Sequence, residues 1–125
     1  MDVTRIDQIA IAVEDLDEAI AFYERAFGLT VSSRELIESD GVEEAMLTVG
    51  GVSIQLLAPT REDSPIARYL ARSGPGLHHL GFGVRSVSAA LDLLHAPVWE
   101  RQAQRHATLF GQCAGRVAGV LLKQA

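Results

Sequence analysis

Two histidines stand side by side in the run Gly76-Leu77-His78-His79-Leu80-Gly81-Phe82-Gly83-Val84, half of the four in the chain. The run alternates as a β-strand does, so Leu80, Phe82 and Val84 share one face while His79, Gly81 and Gly83 share the other. A strand imidazole is either a hydrogen-bonded structural residue or a ligand or proton carrier, and the glycines beside His79 leave the second role open. Two more stretches carry a single polar group in this way. In residues 7–13, Gln8 shares a face with Ala10 and Ala12, and Ile9, Ile11 and Val13 take the other; in residues 52–57, Gln55 lies with Ser53 and Leu57, opposite Val52, Ile54 and Leu56. Each strand therefore has an oily face suited to helices and a face of mostly small residues around one polar side chain. Such faces predict a hollow lined by Ala10, Ala12, Gly81 and Gly83, with Gln8, Gln55 and His79 converging on it, and hollows of this kind are the default ligand sites. The plainer alternative is that Gly81 and Gly83 mark a close backbone approach or a bulge. His78, of opposite parity, is expected to pack or cap.

The elements that position these groups are legible from period and punctuation. After the first strand (5–13), Asp15 and Glu18 form a capping box, Leu16, Ala19, Ile20, Tyr23 and Phe27 recur at helical spacing, and Gly28 stops the helix. This helix should cover the Ile9/Ile11/Val13 face. Strands are predicted at 29–38, 42–49 and 52–58, the last two joined by a Gly50-Gly51 hairpin loop. Asp63-Ser64-Pro65 opens a short helix, on which Arg68 and Arg72 read as a solvated face, and residues 73–76 break it. The histidine strand and a helix over 86–94 then repeat the opening pattern: His79 falls on Gln8, Gly81 on Ala10, Gly83 on Ala12, and Val87, Ala90 and Leu91 on Leu16, Ala19 and Ile20. A period of more than half the chain suits a duplicated half-domain rather than a solenoid. Residues 98–102, 107–110 and 117–122 read as strands in a tail of weaker pattern, where His95 and His106 look structural or exposed. The expectation is one domain over 1–125: a first module at 1–59, a connecting helix and hinge at 60–76, and a second, divergent module at 77–125.

Composition bounds the partners. The chain has 125 residues, 48% apolar and 22% charged, an ordinary globular balance. A net charge of −5 without a basic cluster argues against nucleic acid. No apolar run approaches a membrane span, the start lacks a signal-peptide pattern, and the single cysteine, Cys113, reads as a small buried filler. A cytoplasmic location is the expectation, with no membrane partner.

The layout resembles the vicinal oxygen chelate superfamily (glyoxalases, bleomycin-resistance proteins and dioxygenases), and within it the methylmalonyl-CoA epimerase family. The runs that carry the likeness are Ile9-Ala10-Ile11-Ala12-Val13 with Leu16-Asp17-Glu18-Ala19, Phe22-Tyr23 and Gly28-Leu29; Gly41-Val42-Glu43-Glu44-Ala45-Met46-Leu47; Ile54-Gln55-Leu56-Leu57-Ala58-Pro59; and Asp63-Ser64-Pro65-Ile66-Ala67 with Tyr69-Leu70, Gly74 and Gly76-Leu77-His78-His79-Leu80. They span about residues 5–94; after Leu94 the family's arginine- and glycine-containing loop and its Phe-x-His-Pro run are not found. The resemblance implies an α+β fold of two βαβββ modules forming an incomplete, cupped β-sheet barrel around a cavity, with the helices outside, and a homodimer. It implies proton exchange at the α carbon of methylmalonyl-CoA or a related 2-substituted malonyl thioester, with an acyl-CoA as the small-molecule partner. It places a catalytic base at Glu44, which shares its strand face with Val42 and Met46. A divalent metal such as cobalt or manganese is implied at Gln8, Gln55 and His79, completed by a last-strand residue that falls on Lys123, or on Gln124 if the register shifts by one, where the family's second acid/base also lies. Gln55 and His79 match the family pattern; Gln8 stands for its histidine and Lys123 for its glutamate. One imidazole, two neutral amides and no carboxylate are a poor set for a first-row cation, and an ammonium repels it. Weak metal binding is therefore expected. Other readings on this fold are a metal-independent binding protein of the bleomycin-resistance kind and an inactive, diverged member of the family.

Overall fold

The computed structural model describes residues 2–86, 89–90, 106–113 and 116–124. The order of elements is β1 (Val3–Ala12), α1 (Leu16–Phe27), β2 (Val31–Ile37), β3 (Val42–Val49), β4 (Val52–Pro59), α2 (Pro65–Ser73), β5 (Gly76–Val84), β6 (His106–Cys113) and β7 (Arg116–Gln124). The chain divides into two compact units: Ala10–Leu77, and Met1–Ile9 together with His78–Ala125. Strands β1 and β5 contribute residues to both.

In the unit Ala10–Leu77 the strand order is β2-β3-β4-β1, with β3 antiparallel to β2 and to β4. Helix α1 begins where the capping box places it: the Asp15 carboxylate accepts from the Glu18 N–H at 2.9 Å. It ends at Gly28, whose φ of 65° is left-handed and costs a residue without Cβ little. Its inward stripe, Leu16 and Ile20, packs with Ala45, Leu47, Leu56 and Ala58, and Ile11 and Val13 join this cluster as the alternation of β1 predicts. Helix α2 is capped by Ser64, whose Oγ accepts from the Ala67 N–H at 3.0 Å. Its Ile66 and Tyr69 pack on the opposite face, against Ala10, Ala12, Val42 and Leu57. Beyond α1, Arg34 of β2 pairs with Asp17 of α1 at 2.6 Å and with Glu43 of β3 at 2.8 Å, on the surface.

In the other unit the order is β1-β5-β7-β6, with β7 parallel to β5 and antiparallel to β6. Neither strand order returns to its starting strand, so the sheet is not closed. The fold is α+β, with helices on strands as expected. Thr4 Oγ1 donates to the Gly83 carbonyl at 3.1 Å and the Arg85 N–H to the Asp2 carbonyl at 3.2 Å, fixing β1 beside β5. The helix expected at 86–94 starts as read: the Ala89 N–H reaches Ser86 Oγ and the Ala90 N–H reaches the Ser86 carbonyl. Its further course and the strand expected at 98–102 lie outside the described residues, whereas those expected at 107–110 and 117–122 fall within β6 and β7. Among the described residues no helix is long and apolar enough to cross a membrane.

Candidate functional site

Each unit holds one pair of the polar residues that the sequence singles out. In the first, Gln8 and His79 meet across β1 and β5, with Gln8 Nε2 3.1 Å from His79 Nε2. Gln8 is buried, at 4% exposure, which is unusual for an amide and gives this contact its weight. Gly81 makes the pair possible. A Cβ there would meet Gln8 Cγ at 2.5 Å, inside any tolerable contact, with the backbone nitrogen of Gln8 behind it at 3.5 Å. The space expected over Gly81 is thus taken by the Gln8 side chain. Gly83 is covered likewise by Arg5, whose Cγ stands 2.9 Å from where a Cβ would be. Arg5, itself paired with Asp7 at 3.2 Å, went unmarked in the sequence; the glycine facing it was its only trace. Gly81→Ala should displace Gln8, costing about 1–3 kcal/mol as other overpacking changes do, read as a lower urea midpoint. Gly51→Ala, with nothing within 4 Å of the new methyl, is the control.

His78 does more than pack. Its Nδ1 lies 2.8 Å from His79 Nδ1, and the two rings meet edge-on with centroids 5.1 Å apart. Burial, and after it the proximity of His78, lowers the pKa of His79 from 6.5 to about 4. His79 is therefore neutral at neutral pH. The unfolded chain takes up that proton first, so stability is complete above pH 6.5, declines as the pH falls, and levels off below about 4. The expected loss is about 3 kcal/mol, seen as urea midpoints falling between pH 7 and 4 by more in the wild type than in His79→Asn.

In the unit Ala10–Leu77 the pair is Glu44 and Gln55. The β3–β4 register sets Met46 opposite Gln55 and Glu44 opposite Leu57, making Glu44 and Gln55 diagonal neighbours on one face. Gln55 Nε2 donates to Glu44 Oε2 at 2.6 Å. The contact is half-buried and charge-assisted, and it aims the carboxylate. It lies on the sheet face of Val42 and Leu57, the face that α2 covers. Ala10 and Ala12, expected to line a hollow, are fully buried in that cluster against Ile66 and Tyr69, so what their small side chains admit in this unit is a helix.

On β7, Gly119 pairs with His79 and Lys123 with Gly83, and Lys123 also pairs with His106 of β6. Four residues of strand, about 13 Å, separate the register positions of Lys123 and His79.

The side chains expected to hold a divalent ion are engaged with one another or with a neighbour. The amide nitrogen of Gln8 is directed at the His79 ring nitrogen, and that of Gln55 at a carboxylate. Among the described residues no three of His, Cys, Asp and Glu cluster as a metal site would need. One imidazole with two neutral amides does not fit a divalent first-row metal. What the two pairs supply is an oriented carboxylate, able to act as a base, and a neutral imidazole held by an amide.

Comparison with known proteins places this geometry in context. Residues 7–109 match the family model of the glyoxalase/bleomycin resistance protein/dioxygenase superfamily. The mitochondrial methylmalonyl-CoA epimerase of Homo sapiens is 36% identical over 88 residues, covering 70% of this chain and 50% of that protein. The ethylmalonyl-CoA/methylmalonyl-CoA epimerase of Cereibacter sphaeroides is 36% identical over 91 residues, covering 72% and 68%. The structure of a methylmalonyl-CoA epimerase in complex with methylmalonyl-CoA and NH4+ superposes with a TM-score of 0.78 at 34% identity, over 99% of this chain and 97% of that one. The match thus spans half the length of the human relative.

Proposed function

The chain belongs to the glyoxalase/bleomycin resistance protein/dioxygenase superfamily, and from that membership we propose that it epimerises methylmalonyl-CoA or a related 2-substituted malonyl thioester by moving a proton at the α carbon. The observation that carries this reading is the Glu44–Gln55 pair, a carboxylate aimed by an amide on the sheet face where the family resemblance places a base. The relatives named as methylmalonyl-CoA epimerases, and the structural neighbour solved with methylmalonyl-CoA, support the substrate class.

The chemistry requires a base on one side of an acidified C–H, an acid on the other, and stabilisation of the charge that develops on the thioester oxygen. Glu44 takes the proton and becomes a carboxylic acid; Gln55 holds it in place. Return of a proton to the opposite face needs a second acid, the role for which the resemblance implies Lys123, and both groups would then re-equilibrate with water. The family resemblance implies a divalent metal at Gln8, Gln55 and His79. Because the donor set here does not fit one, no step of this mechanism passes through an ion. The protein acts as a homodimer in the cytoplasm.

A second reading, ligand binding without turnover, is favoured by the same lack of carboxylate among the Gln8, Gln55 and His79 donors. Incubating a single C2 epimer of methylmalonyl-CoA with the protein separates the two. Conversion to a mixture of epimers, followed by chromatography, is expected; calorimetric binding with no conversion would leave only the second reading.

A further inference from the structure

We propose that Gln8, His79 and His78 form a hydrogen-bonded chain that engages the donor atoms with which this family would grip a divalent cation, so that His79 is fixed as its Nδ1–H tautomer and offers no metal site. The proposal follows from what each nitrogen is able to do. An amide nitrogen only donates, so across the 3.1 Å contact with Gln8 Nε2 the ring nitrogen His79 Nε2 must accept. A neutral imidazole that accepts at Nε2 carries its proton on Nδ1. That proton has a partner: His78 Nδ1 lies 2.8 Å away and accepts, which leaves the proton of His78 on its own Nε2. One donor assignment therefore sets two tautomers.

A metal would need the His79 Nε2 lone pair, and Gln8 would have to leave it. Gln8 is buried, and its side chain fills the space above Gly81, where even a methyl group would not fit beside it. Ligating histidines also commonly pass their second N–H to a carboxylate or carbonyl, which makes the ring a stronger donor. Here that N–H goes to a second neutral imidazole, a weaker acceptor. The pair is thus self-satisfied: a buried amide and a half-buried ring answer each other, and no charge is placed between them.

The inference rests on the family membership and not on the epimerase reading, and its test needs no substrate. Long-range 15N–1H correlation NMR on the full chain should show His79 with a protonated Nδ1 and a bare Nε2. In Gln8→Leu, which keeps the volume and removes the donor, the His79 nitrogen shifts should move toward those of exchanging tautomers. Titration with cobalt(II) should produce no ligand-field absorption and no paramagnetic broadening at His79 up to a tenfold excess. A protonated Nε2 in the wild type, unchanged shifts in a folded Gln8→Leu, or cobalt bound at one equivalent with broadening of His79 would each overturn the inference. None of these results bears on whether Glu44 moves a proton, so the two readings fail separately.

Discussion

Replacing Glu44 by glutamine is expected to slow epimerisation of methylmalonyl-CoA by about 100- to 10,000-fold, the range over which a positioned general base acts. The substitution keeps the shape and length of the side chain, and its amide oxygen still accepts from Gln55, whose Nε2 now lies 2.6 Å from Glu44 Oε2. What is lost is the ability to take a proton. The fold should be unaffected, because Glu44 is only half-buried and the clusters under α1 and α2 do not include it. Affinity for the thioester, measured by calorimetry, should change little while turnover collapses. A variant that turns over at the wild-type rate would remove Glu44 from the mechanism; one that loses binding and turnover together would make it a binding group. Gln55→Leu is expected to act in the same direction but less, because the carboxylate remains and only its aim is lost.

The largest stability effect is expected at Leu56→Ala. Leu56 is fully buried in the same hydrophobic cluster as Leu16, Ile20 and Leu47. Truncation removes its transfer free energy and leaves a cavity that the surrounding strands cannot close, a loss of roughly 2–5 kcal/mol. Set against the 5–15 kcal/mol or so that holds most domains folded, this is a large fraction. The check is a urea denaturation midpoint, compared with Leu77→Ala as the control. Leu77 is 51% exposed, and its structural contribution is the backbone carbonyl that accepts from Tyr69, so its truncation should cost no more than about 0.5 kcal/mol.

Local signals in the sequence are sharp where they concern one element. The ends of α1 follow from Asp15, Glu18 and Gly28, the β3–β4 hairpin from Gly50-Gly51, and the start of α2 from Ser64-Pro65, because capping and turn chemistry are decided within four or five residues. Alternation also sorted β1 correctly, with Ile11 and Val13 under α1. Alternation cannot say what lies against the other face. Ala10 and Ala12 looked like the lining of a hollow because they are small, but smallness is equally what lets Ile66 and Tyr69 approach. Gly81 and Gly83 pose the same ambiguity, and the side chains of Gln8 and Arg5 resolve it. The Glu44–Gln55 bond depended on the register of β3 against β4, which is a property of two strands and not of either. The contact of His78 with His79 was hidden by strict parity, which places successive side chains on opposite faces.

Entry of solvent deuterium at C2 of methylmalonyl-CoA, with chelator-treated protein in D2O, tests the central claim most directly. One deuterium per molecule is expected to enter without added metal, at the same rate when cobalt is supplied. No entry, or entry only after cobalt is added, would contradict it.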